Sequence, residues 1–217
     1  METTVKQDET LTRAAFLLAF DLRKERLANR GVLGYLLRAT TLAELLLAGD
    51  LADDSGRARA VTAPAGAGPK SLRAIVWEQI SASPPRPWRH WVGKDHTKAV
   101  HLVRDELAAD RLIRVERHWV LVFPVQRIVP RKAYLSRRLA ERVGRAVRGS
   151  RPVARVERKL GALAALAVTA RLKGVVDERE AHLHRDRIRQ LATPVEPIVT
   201  ALHKNIETAQ YMKTSGG

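Results

Sequence analysis

Twelve cationic side chains crowd one stretch of the chain: Arg127, Arg131, Lys132, Arg137, Arg138, Arg142, Arg145, Arg148, Arg151, Arg155, Arg158 and Lys159. Only Glu141 and Glu157 oppose these twelve, so the stretch carries +10 of the chain's net +16. Like charges at this density repel, and folding gains nothing from gathering them. The chemistry they suit is the binding of a polyanion, either membrane phosphate or nucleic acid. Arg outnumbers Lys by 29 to 10, a bias that GC-rich codons produce; it discounts the number of arginines but not their clustering.

Other residue types argue against catalysis. There is no cysteine, which removes disulfides, thiolate chemistry and sulfur-ligated zinc. Of the histidines, His90, His96 and His101 spread over a loop and a helix start, and His182 and His184 sit on different sides of one helix. None forms the i, i+4 pair with a carboxylate that a zinc hydrolase needs. The glycines at 66 and 68 lack a neighbouring Lys-Ser/Thr pair to grip phosphate and read as linker. Acids such as Glu141 and Asp186 stand at helical spacing from Arg145 and Arg189, where ion pairing accounts for them. Neither an enzyme nor a metal or cofactor is expected. Arg38 stands out for another reason: between Val32 and Leu47 only Glu44 is also charged. By itself it reads as a residue snorkelling from the edge of a core helix.

The elements that must position these groups are mostly helical. Thr10 is a candidate N-cap for a helix through Leu22, and Gly34 to Ala48 gives a second, stopped by Gly49. Leu51 to Val61 reads as two strands around an Asp54-Ser55-Gly56 turn, with a flexible link at 63–69. Further helices are expected at Leu72 to Ile80, His96 to Asp110, Lys132 to Arg148, Leu160 to Leu172 (buried), Val175 to Leu191 and Val195 to Met212. Between the second and third of these, Leu112 to Phe123 alternates as a hairpin turning at Arg117-His118, followed by a loop over Pro124 to Pro130. A helix followed by a hairpin, 97–123, is also the tail of a winged helix. Asp105, Glu106 and Asp110 would then face phosphates unfavourably, which favours simple packing over DNA recognition.

The order of these pieces resembles the Golgi phosphoprotein 3 family. The matching segments are Leu11 to Leu22, Leu36 to Leu51, Ala99 to Arg114, Phe123-Pro124 with Ser136 to Val147, and Val156 to Val168. The resemblance implies a mainly α, single-domain helical bundle wrapped by amphipathic helices, with short β-hairpins. It also implies binding of phosphatidylinositol 4-phosphate or a related phosphoinositide, and an adaptor role, since eukaryotic members hold glycosyltransferases by their cytosolic tails. By resemblance Arg38, in Leu37-Arg38 ahead of Leu42-Ala43-Glu44-Leu45, is a headgroup ligand. Arg104 takes the place of a second family arginine, and His101 stands where a third would be. Asn29 stands where the family carries a tryptophan. Arg138, Arg142 and Arg145 would add a supporting basic face.

The Arg bias, with no long N-terminal tail before the domain, suggests a bacterial relative. Residues 1–10 are expected to be disordered, 11–212 to form the domain and 213–217 to fray. The polar start METTVKQDET is not a signal peptide. The longest apolar run, Leu160 to Ala170, is shorter than the roughly 20 residues of a bilayer span. The expected picture is a cytoplasmic protein, peripheral on the inner face of the membrane, that binds anionic phospholipid. A client protein and a second copy of the chain are further partners to expect, and nucleic acid is the alternative.

Overall fold

The computed structural model describes residues 10–21, 26–28, 30–120, 123–172 and 174–215. Leu33, Leu36, Leu37, Leu42 and Leu45 recur every three or four residues along α2 (Arg30–Ala48), and all are buried. This helix starts before the expected Gly34. Around it lie α1 (Leu11–Leu18), α3 (Leu72–Ser81), α4 (Trp88–Gly93), α5 (His96–Ala109), α7 (Arg158–Thr169) and α10 (Glu196–Ser215), all in contact with it. Taken alone, Gly31–Ala48 is apolar and long enough to cross a bilayer, with a mean hydropathy of 1.4. Its neighbours cover it instead, and its role is the centre of the core.

Close approach at that centre is written into small residues. A Cβ on Gly34 would sit 2.1 Å from the His96 carbonyl oxygen, so only glycine lets α2 and α5 cross there. One residue on, the Tyr35 and His96 rings stack with centroids 3.9 Å apart. In α7 every residue from Gly161 to Ala167 is buried, as its all-round apolar character predicts.

The fold is mainly α. Its antiparallel strand pairs are short: β1 (Phe20–Asp21) with β2 (Arg26–Leu27), β3 (Leu51–Asp54) with β4 (Arg57–Ala60), and β6 (Ile113–Val120) with β7 (Phe123–Pro130). β3 and β4 turn at Ser55 and Gly56, both with positive φ, as expected of a two-residue hairpin. A third strand not read from the sequence, β5 (Arg86–Pro87), joins β4, and Trp88 opens the equally unforeseen α4. The hairpin differs more. β6 runs straight through Arg117 and His118, and the stretch expected as a loop is strand β7, in register from Val120↔Phe123 to Ile113↔Pro130. A two-stranded ribbon has free edges, so prolines can end a strand there without breaking a ladder.

Amphipathic α6 (Ala133–Arg148) packs on α1 and α7. The single helix expected over Val175 to Leu191 is two, α8 (Glu178–Leu183) and α9 (Arg185–Ala192), bent at His184. Asp177 and Glu180 form a reciprocal capping box at the start of α8, while α9 buries Leu191 and Ala192. The closing helix continues to Ser215, past the expected fraying point at 213. Residues 1–9 and 216–217 lie outside the described residues.

Helix N-termini expose N–H groups that need acceptors, and two are met by glutamates from another helix. Glu44 of α2 accepts from the Leu11 amide at 3.2 Å, and Glu106 of α5 accepts from the Leu72 amide at 2.9 Å. Burial raises the Glu44 pKa above its ordinary 4.5, and the nearby charges of Arg73, Lys159 and Arg13 offset only part of this. With a raised pKa the folded state takes up this proton before the unfolded chain does. Stability from this group therefore increases as pH falls through the folded pKa. In Glu44→Gln the amide oxygen can still accept from Leu11, and that titration is gone. In urea unfolding, the stability of Glu44→Gln relative to the native chain should fall as pH is lowered from neutral towards 4.5. An advantage that grew on acidification would show that the carboxylate is not desolvated.

Candidate anion-binding site

Arg38 does not snorkel. It points from α2 into the junction of α3, α4 and the start of α5, and its side chain is 0% exposed. Its Nε donates to the Trp91 carbonyl at 2.9 Å and its Nη1 to Gln79 Oε1 at 3.1 Å. The Gln79 amide then donates to Asp95 at 3.2 Å. Burial lowers the Arg38 pKa to about 10, against the favourable charge of Asp95, so the guanidinium stays protonated at neutral pH. The Asp95 carboxyl is held below its ordinary value, chiefly by the Lys98 ammonium at 3.1 Å.

Other cations share this junction. His90 lies beside the Trp91 ring, edge-on at 4.9 Å. Its pKa is depressed by partial burial and by the charges of Arg86, Lys94 and Arg38. The charges of Arg86, Lys94 and Arg38 thus all bear on His90.

The two other expected headgroup ligands lie further along α5. His101 is exposed on the outer face of the helix. Arg104 is nine residues past Asp95, about 13 Å along a helix axis, and it pairs with Asp105 at 2.7 Å. The hydrogen bonds of Arg38 go to α3 and α4 instead. Arg38 makes no hydrogen bond or ion pair with His101 or Arg104 among the described residues. Asn29 lies outside the described residues.

The supporting basic face is on α6. Tyr134, Arg138, Glu141, Arg145 and Arg148 recur at three- and four-residue spacing, opposite the buried Leu139, Val143 and Val147. Arg137, Arg138 and Arg145 are exposed and have no acidic partner among the described residues. Arg142 leans towards Glu157 at 3.6 Å. Tyr134, 52% exposed, adds an aromatic to the same stripe. From α2, this helix is reached through α1 and α7, whereas Arg38 turns towards α3 and α4. The two cationic features are therefore separate surfaces.

A groove of about 1350 Å³ opens between α6, α8 and α10, floored by Val168, Leu172, Val175 and Ile206. Three of its four acids serve local structure: Asp177 and Glu180 cap α8, Glu180 also pairs with Arg148 at 3.2 Å, and Glu178 pairs with Arg171 at 3.6 Å.

A family model described as Golgi phosphoprotein 3 (GPP34) matches residues 11–209. The chain belongs to the Golgi phosphoprotein 3 family. No curated protein matches it. The match begins at the first residue of α1 and ends within α10, so it takes in both cationic surfaces of this Golgi phosphoprotein 3 chain. Sequence reasoning singled out Arg38 but missed Gln79, Trp91 and Asp95. Residues 41 to 57 positions away in sequence carry no local sign that they share a site.

Because Arg38 is enclosed, its removal is a structural event as well as a loss of charge. Arg38→Ala leaves the Trp91 carbonyl and the Gln79 amide without their donor and opens a cavity. The expected loss is about 2–4 kcal/mol, seen as a lower urea midpoint at unchanged slope. Arg38→Lys should recover only part of it, since a single ammonium lacks the fork that meets both acceptors. A fully stable alanine variant would refute the clamp.

Proposed function

We propose that this Golgi phosphoprotein 3 family member is a non-catalytic peripheral membrane protein that docks on anionic phospholipid headgroups at the cytoplasmic face. The observation that carries this reading is the outer stripe of α6, where Arg137, Arg138 and Arg145 stand exposed and unpaired beside Tyr134 among the described residues. The inner face of the same helix is buried, and Arg187 of α9 holds its C-terminal end, donating to the Ala146 carbonyl at 2.7 Å. A fixed helix with a cationic outer face and an amphipathic aromatic suits an anionic surface, where each Lys or Arg contributes about 1 kcal/mol.

Phosphoinositide selectivity is the finer part of the proposal, with Arg38 as the headgroup residue and His101 and Arg104 as outlying basic groups on α5. The mixed-charge groove between α6, α8 and α10 is the surface we assign to a client, as an adaptor requires. Engagement of three of the groove's four carboxylates, Asp177, Glu178 and Glu180, in caps and ion pairs supports a binding role over catalysis. For the nucleic-acid alternative, α5 is a poor recognition helix. Its Ala99, Val103 and Leu107 are buried, Glu106 caps α3, Asp110 pairs with Arg13, and Arg104 pairs with its own neighbour.

The test is co-sedimentation with phosphatidylcholine vesicles with and without phosphatidylserine, in the presence of duplex DNA. Arg138→Ala with Arg145→Ala should weaken pelleting on the anionic vesicles by about 30-fold and leave the urea midpoint unchanged. Pelleting of the native chain should fall steeply with salt. Native pelleting that DNA abolishes, or a double variant that binds as the native chain does, would overturn the membrane reading.

A further inference from the structure

We propose that two copies of this chain associate across the groove between α6, α8 and α10, each laying the exposed end of its α10 into the groove of the other. The inference goes beyond the membrane reading and does not depend on it. A client would reach the groove only where the second copy has left it.

The first observation is helical structure that the single chain leaves uncovered. Ile206 is the last buried residue of α10, and every described side chain from Gln210 to Ser215 is exposed. The short helix α8 buries none of its residues; its anchors are the capping box and the pair between Glu180 and Arg148. Short helical stretches gain little from their own hydrogen bonds and depend on packing. Both uncovered stretches border the groove, which Gln210 lines from α10 and Ala181 and His182 line from α8.

The second observation is where apolar surface is exposed. Among the described residues five large apolar side chains are exposed, and three of them, Leu183, Tyr211 and Met212, lie on these two stretches. At 77%, 72% and 67% they are also the most exposed of the five. Leu183 follows the groove residue His182 in the chain, and Tyr211 follows the groove residue Gln210. An apolar helix end and an open groove with an apolar floor are the two halves of a helix-in-groove contact. One chain cannot join them, because Ile206 in the floor and Tyr211 at the end belong to one continuous helix. A two-fold axis beside the groove joins each half to its counterpart, and does so twice.

The third observation is charge, and it favours a second copy over another partner. At +16, two copies repel one another over most of their surface. The groove is different, since Glu141, Asp177, Glu178 and Glu180 there stand against Arg148, Arg171 and Arg185. Of these seven, Glu141 and Arg185 have neither an ion pair nor a cap bond among the described residues. A purely basic or purely acidic partner would satisfy one of them and bring like charge to the other. A second copy brings one acid and one base to the same face.

The experiment is sedimentation equilibrium of the full chain from about 1 to about 100 µM, the weak end of the range for protein contacts. The native mass should rise from one chain towards two. Tyr211→Ser with Met212→Ser alters exposed side chains only, so its urea midpoint should stay native while its association weakens about tenfold. The chain has no cysteine, so single cysteines report the geometry. Met212→Cys chains mixed with His182→Cys chains should form a mixed disulfide, which closes only when the Cα atoms come within about 7 Å. Val61→Cys chains, exposed elsewhere on the molecule, should link to His182→Cys chains far more slowly. A mass of one chain throughout would overturn the association and leave membrane docking standing. Native-strength association of the double variant, or a Val61 pair that links as fast as the Met212 pair, would overturn the assignment to this groove.

Discussion

An apolar helix buried on all sides must still find partners for its few polar groups, and in α2 that requirement organises the molecule. Arg38, Thr40, Thr41 and Glu44 are all buried. A buried hydroxyl, carboxyl or guanidinium without a partner costs free energy on the scale of a protein's whole stability margin. Thr40 satisfies itself on the Leu37 carbonyl, but the others reach outward. Thr41 meets Thr12 of α1 at 2.8 Å, Glu44 takes the first amide of α1, and Arg38 gathers α3 and α4. Hydrophobic burial brings these helices to α2, and the polar contacts select their position along it.

The same constraint explains why two groups of cations behave differently. Those on α6 sit on a helix whose inner face is already used by Leu139, Val143 and Val147, so they point to solvent and remain available to an anionic surface. Arg38 sits on a helix with no outer face. It is enclosed, and the charge that favours it comes from Asp95 at the start of α5. A surface stripe and an enclosed guanidinium differ in what they distinguish. The stripe responds to charge density, and an enclosed fork to the geometry of one group.

Much was legible from the chain alone, where the determining interactions are local. The periodicity of α2, α5, α6 and α7, the Thr10 cap, the Ser55-Gly56 turn and the clustering of basic residues all follow from neighbours within a few positions. The errors share a cause as well. Pro124 and Pro130 argue for a loop until the free edges of a two-stranded ribbon accommodate them, and the charged run from Val175 reads as one helix until α9 turns Leu191 and Ala192 inward at His184.

By itself, then, the sequence determined a mainly helical chain, a basic α6 with one apolar face, and one charged residue in an otherwise apolar helix. Only the tertiary structure decided what that residue does. The partners of Arg38 come from α3 and α4, 41 and 53 residues away in the chain. Helix phase places a side chain on a face. What meets that face depends on the packing of segments far apart in the chain, which no local pattern encodes.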